Sequence, residues 1–266
     1  MSNPVLLAAI AALIGYAVAG VLAWRSRAEL PWVALVSIAL HAGSLFAQLF
    51  QDGSLRIGVT EALSLFAWQS ASLLWMFSWR EPVSINGVVV YPLAGAFAVW
   101  AALFPAPITD VDPLQWQVGL HILISLLSAG VLTLAAVQAV ALAIQDRLLH
   151  QHAVASLSRL PPLQLMERLL FQMVAIGFVL LSLTLLSGFW FIDNWLAQHL
   201  AHKTVLSIVA WVVFGVLLWG RWKHGWRGRI AIRWALSGYG ILLLAYFGTK
   251  LILELVLQKH WVPPGS

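Results

Sequence analysis

The chain contains no cysteine, which excludes disulfides, thiolate metal sites and thiol redox chemistry. Charge is nearly as scarce. Only 9% of the 266 residues are Asp, Glu, Lys or Arg, against about 25% in an ordinary soluble domain. A surface wet on all sides is therefore excluded, and most of it must face lipid. No acidic residue lies deep within an apolar run, so a carboxylate relay for protons is missing. With no inverted repeat either, the sequence disfavours a small-solute transporter. There is no glycine-rich phosphate loop, nucleophile elbow or zinc-protease motif. Nothing in the sequence would drive covalent chemistry, and the protein is expected not to be a catalyst itself.

What the sequence does have is apolar length, with 61% of residues hydrophobic. A membrane-crossing helix needs roughly 17–25 residues. Eight segments meet that need: 4–24, 31–50, 60–79, 88–104, 116–145, 167–192, 203–220 and 230–258. The segment 60–79 is peppered with Ser and Gln, and 88–104 is short. All must be helices, because backbone polar groups in lipid can pair only within the segment. The expected fold is an all-α membrane protein, a polytopic bundle of about eight transmembrane helices forming a single domain over 1–266. Met1-Ser-Asn-Pro precedes the first run without a basic stretch, and that run is long enough to span, so no cleavable signal is expected.

Lys and Arg set the orientation. Arg25, Arg27, Arg80, Arg147, Arg159, Arg168, Arg221, Lys223, Arg227, Arg229 and Arg233 fall on one side. Arg56, Lys203 and Lys259 fall on the other, with Lys250 inside the last segment. The basic side is cytosolic by the positive-inside rule, which places both termini in the periplasm of a bacterial inner membrane. This bias also accounts for the net charge of +5, and no nucleic-acid partner is expected. Many of the 15 Trp, such as Trp24, Trp79, Trp190 and Trp219, stand at the ends of apolar runs, where an indole ring is sheltered and its N–H is wet. The main partner is membrane lipid.

Histidines are the candidates for chemistry. His150, His152 and His224 fall in basic cytosolic connections, and His260 beside Trp261 at the outer end. His121 is different. The fifth segment enters from outside at Trp116, so His121 lies about 8 Å along it among Leu120, Ile122 and Leu123. His202 precedes the seventh segment, which also starts outside, so the two imidazoles share a depth. A shared ligand site competes with a simpler arrangement, one ring bonded to a neighbouring helix and the other wet. His199 and His202, at i and i+3, lie on one helical face. His41, about ten residues from either end of the second segment, is either a second ligand site or a neutral ring bonded to Gln48, Ser70 or Gln69. Lys250 and Glu254, at i and i+4, are explained by pairing and snorkelling.

The stretch His-Lys-Thr-Val-Leu-Ser-Ile-Val-Ala-Trp from His202, the turn Gly-Arg-Trp-Lys-His-Gly-Trp-Arg-Gly-Arg at 220–229 and Ala245-Tyr246-Phe247-Gly248 resemble the cytochrome c assembly family of haem-handling membrane proteins. Within it the chain looks most like the short eight-helix inner-membrane branch, the YpjD- and HemX-like proteins. The resemblance covers roughly residues 60–258. Leu120-His121-Ile122, ahead of Ser125, Ser128 and Ala129, is similar to the family's first outer histidine.

The resemblance implies that His121 and His202 are axial ligands of a haem b iron, with His199 competing for the second place. Trp116, Trp190 and Trp195 would cover the ring, at a site between the fifth and seventh helices. An apocytochrome would be a partner, and its own thiols would make cysteine unnecessary here. The family's tryptophan-rich loop, with Trp-Asp-Pro-Lys-Glu-Thr, is reduced here to Trp195 and Lys203-Thr204. That departure favours a second role, an accessory subunit regulating or stabilising a partner transporter or tetrapyrrole enzyme.

Overall fold

The computed structural model describes residues 4–25, 30–51, 54–57, 59–105, 109–110, 116–151, 161–191 and 198–251. Eight helices account for nearly all of them: α1 (Pro4–Arg25), α2 (Leu30–Leu49), α3 (Val59–Ser78), α4 (Gly87–Leu103), α5 (Trp116–His150), α6 (Leu163–Phe191), α7 (Gln198–His224) and α8 (Gly228–Leu251). Over its described residues each expected segment is essentially a helix, and the fold is an all-helical bundle. Six helices, α1, α2, α4, α5, α6 and α7, are long and apolar enough to cross a membrane.

Of the other two, α8 carries Arg229 and Arg233 in its first two turns, and α3 is polar because it faces inward. Its Ser70 and Ser72 hydroxyls donate to the Phe66 and Trp68 carbonyls one turn back. The Trp68 and Trp75 indoles donate to the Ile38 and Pro31 carbonyls of α2.

One feature differs from the expected loops. Three short strands, β1 (Phe50–Gln51), β2 (Ser54–Ile57) and β3 (Thr109–Asp110), pair antiparallel in that order. They tie the end of α2 and the start of α3 to the chain beyond α4. Because α3 begins at this patch and ends beside the start of α4, it runs the full height of the bundle.

Packing follows residue size. α1 buries Ala9, Ala12, Tyr16, Ala19, Gly20 and Ala23, one stripe at helical spacing, against α2 and α4. Small residues let backbones approach closely where lipid provides no hydrophobic drive between helices. At Gly95 of α4 a Cβ would stand 2.8 Å from the Leu13 Cα, so only glycine fits. In the second half α5 packs on α6 and α8, and α7 on α6 and α8, while α3 and α5 join the halves. Leu132, Leu142, Leu169, Leu170, Phe214 and Leu217 fill this core, and Ile14, Val36, Val179, Leu186 and Val212 remain outside for lipid.

Buried amides fasten the junction. Asn86 Nδ2 donates to Gln138 Oε1 at 2.8 Å, and Gln138 Nε2 to the Met166 carbonyl at 3.1 Å. At the α7–α8 turn Gly225 and Gly228 adopt φ of 66° and 53°, values that favour glycine. Gly225 N–H caps α7 on the Arg221 carbonyl, an αL helix end. The Gly228 N–H donates to Glu167 Oε1 of α6.

Candidate functional site

His121 occupies the second turn of α5 and is half-buried against α6. Its Nδ1 lies 2.8 Å from the Ser187 Oγ. That hydroxyl donates its hydrogen to the Thr184 carbonyl, 3.0 Å away. A hydroxyl carries one hydrogen. Ser187 must therefore accept from His121, which places the proton on Nδ1 and leaves the lone pair on Nε2. Among the described residues Nε2 has no hydrogen-bond partner. The ring also meets Gly188, where an added Cβ would stand 3.2 Å from Cε1. The bare backbone there lets the imidazole lie close to α6.

His121 edges a cavity of about 430 Å³, within the roughly 300–1,000 Å³ of small-molecule sites. Ala62, Leu63 and Phe66 of α3, Ile122, Leu126 and Ala129 of α5, and Leu242 and Leu243 of α8 form its walls. Ser125 lines it too, but its hydroxyl is spent on the His121 carbonyl at 2.7 Å. At the far end Thr133 Oγ1 and the Tyr239 hydroxyl pair at 2.8 Å. Thr133 stands about 18 Å along α5 from His121. The cleft is thus apolar along its length, with an imidazole at one end and a hydroxyl pair at the other.

Among the described residues the cleft is lined by α3, α5 and α8, whereas the expected site lay between the fifth and seventh helices. Within the bundle α7 packs on α6 and α8. His199 and His202 fall in the first two turns of α7, but their side chains lie outside the described residues. The same is true of the Trp116 side chain at the start of α5, of all of Trp195, and of Lys250 and Glu254, which were expected to pair. Trp190 is 83% exposed at the end of α6.

His41 is wholly buried. Its Nε2 lies 2.9 Å from the Ser64 Oγ and its Nδ1 3.4 Å from the Tyr16 hydroxyl. Tyr16 meets it edge-on and stacks on Tyr91. Both ring nitrogens are engaged, so no lone pair is free. The partners are not the Gln48, Ser70 or Gln69 expected from depth: Gln48 bonds back to Ser44 and Ser70 to Phe66.

The remaining described histidines face the basic side. His150 Nδ1 donates to the Asp146 carbonyl at 2.7 Å, and His224 packs edge-on against Trp219. His152 and His260 lie outside the described residues. Among the described residues no three His, Asp or Glu side chains cluster to hold a bare metal ion.

Sequence reasoning missed Ser187, Gly188, Thr133, Tyr239 and the α3 wall. The spacing Thr184–Ser187–Gly188, a hydroxyl-rich, small-residue turn near the C-terminal end of α6, was the available signal for a seat beside His121.

A helical membrane bundle with, among the described residues, an unpartnered imidazole nitrogen on an apolar cleft defines the class. Residues 56–257 match the cytochrome c assembly protein family, and the chain belongs to that family. It is 34% identical over 239 residues to the inner membrane protein YpjD of Escherichia coli K12, covering 88% of this chain and 89% of that protein. It is 31% identical over 208 residues to an uncharacterized 28.8 kDa protein of Azospirillum brasilense, covering 77% of this chain and 76% of that protein. A shorter similarity, 29% over 99 residues, relates it to the cytochrome c biogenesis protein CcsA of Thermosynechococcus vestitus, covering 36% of this chain and 31% of that protein. No solved structure matches the chain.

Proposed function

We propose that this protein handles haem during cytochrome c assembly in a bacterial inner membrane, with both termini periplasmic. It holds haem b through His121 near the periplasmic face. A second ligand would come from the first two turns of α7, from His202 or its competitor His199. Trp116 and Trp195 are placed by sequence to shelter the exposed edge of the ring.

The observation that carries this reading is the free Nε2 of His121. A metal-ligating histidine generally donates its other N–H to a fixed acceptor, which sets tautomer and ring orientation. Ser187 is such an acceptor, and the hydrogen bond to Thr184 fixes which way it points. The residues present also suit a porphyrin otherwise. The walls are apolar and aromatic, and the cavity has the volume of a small-molecule site.

When bound, the haem would supply an iron open to ligation by imidazole. The chain's own residues position, shelter and ligate. His121 presents a lone pair, Ser187 holds the tautomer, and Phe66, Leu242 and Leu243 exclude water. The acceptor is an apocytochrome or a membrane partner that delivers to one.

The absorption spectrum of detergent-purified protein tests the proposal. A Soret band is expected that weakens in His121→Ala and in His202→Ala. A haem-titrated preparation without a Soret band, or a His121→Ala variant with an unchanged one, would overturn it.

A further inference from the structure

At the opposite, basic end of α5 a second cavity opens against the start of α8, about 370 Å³ in volume. We propose that it binds the phosphate-bearing headgroup of an anionic phospholipid from the inner leaflet.

The site is built around Asp146. Its carboxylate takes the Arg229 Nε at 3.0 Å and lies 3.6 Å from His150 Nδ1. Arg229 Nη2 in turn lies 3.5 Å from His150 Nε2. One acid thus neutralises and orients one arginine. Arg147 and Arg233 line the same cavity, and neither makes an ion pair among the described residues. The cleft therefore keeps two guanidinium groups uncompensated. A planar guanidinium matches phosphate oxygens in bidentate geometry.

Depth points to a lipid. Arg147 stands about 46 Å along α5 from Trp116, and a bilayer with its headgroups is roughly 40–45 Å thick. Trp219 and Trp222, both exposed on the neighbouring end of α7, mark the same boundary, where indole rings prefer to sit. Ala143, a turn nearer the membrane centre than Arg147, and Ile232, beside Arg233, give the cavity an apolar wall. A ligand polar at one end and apolar at the other fits this arrangement. Basic pockets between transmembrane helices at the cytosolic side suit anionic headgroups.

Native mass spectrometry of the intact protein, released from detergent with added phosphatidylglycerol or phosphatidylcholine, tests the site. Phosphatidylglycerol should be retained preferentially. Each arginine near an anionic surface contributes about fivefold, so the double variant Arg147→Gln/Arg233→Gln should retain it roughly thirtyfold less. Arg227→Gln, in the α7–α8 turn and outside the cleft's lining, should lower retention far less than the double variant. Asp146→Asn frees Arg229 and should raise retention, an increase that misfolding could not imitate.

Equal retention of the two lipids would overturn the proposal, leaving an ordinary solvated basic face. So would a double variant indistinguishable from the parent, or Asp146→Asn with lowered retention. Displacement of the lipid by inorganic phosphate alone would overturn the lipid assignment in favour of a soluble anion.

Discussion

Replacing Ser187 by alanine separates a ligand-presenting histidine from one that merely lines a wall. The hydroxyl accepts the His121 Nδ1–H at 2.8 Å and is itself held by the Thr184 carbonyl at 3.0 Å. Removing it leaves an imidazole N–H facing the side of α6 with no acceptor. A net hydrogen bond contributes about 0.5–1.5 kcal/mol, and that part appears as a small loss of stability. The larger effect falls on iron affinity. Without its acceptor the ring can rotate and carry its proton on either nitrogen. Loss of such a supporting partner typically costs 10–100-fold in metal affinity, which is about 1.4–2.8 kcal/mol. Haem titration of the purified protein, followed at the Soret band, should show that weakening in Ser187→Ala. Ser187→Thr, which keeps the hydroxyl, should retain most of the affinity. Wild-type affinity and spectrum in Ser187→Ala would refute the tautomer argument, whatever happened to stability.

Three further outcomes follow from the geometry. Gly188→Val should reduce haem uptake more than Gly188→Ala, because an alanine Cβ already stands 3.2 Å from His121 Cε1; equal Soret intensities across the series would show that the ring does not need this seat. His41→Ala should lower the thermal unfolding temperature by leaving the Tyr16 and Ser64 hydroxyls buried without a partner, at about 1–3 kcal/mol, while haem uptake persists. Gln138→Leu should destabilise the apoprotein by a similar amount, since Asn86 Nδ2 and the Met166 carbonyl both lose their partner, and differential scanning calorimetry would read it.

Element existence was legible because lipid imposes a single rule. A run of apolar residues of spanning length must be a helix, and the helix starts at Pro4, Leu30, Val59, Gly87 and Trp116 fall within a residue or so of the expected ones. The strand patch was not legible. Arg56 pairs with Asp110 and Ile57 with Thr109, and runs this short carry no periodicity. The depth of His121 could be read from its distance to Trp116, but its neighbours could not. Depth is shared by every helix in the bundle, so it cannot say that α3 and α8 wall the cleft. The same limit misplaced the partners of His41. Gln48 and Ser70 are at plausible heights, yet both satisfy their own helices, and Ser64 reaches the ring instead.

Accounting for lone pairs turns these placements into a division of labour. The first half of the bundle encloses His41 completely and engages both of its nitrogens, with Tyr16 and Tyr91 closing the cluster. Such a ring joins α1, α2 and α3 and has nothing left to offer a ligand. The second half does the reverse. It spends one nitrogen of His121 on positioning and leaves the other beside a cavity. The family match begins at residue 56, just ahead of α3, so it includes the cleft and leaves α1, α2 and His41 outside. α3 serves both halves: Ser64 anchors His41 on one face, and Leu63 and Phe66 wall the cleft on another. Loosening His41 would therefore reach the cleft beside His121 through movement of α3. That is why His41→Ala is expected to cost stability first and binding little, whereas losing Ser187 should do the opposite.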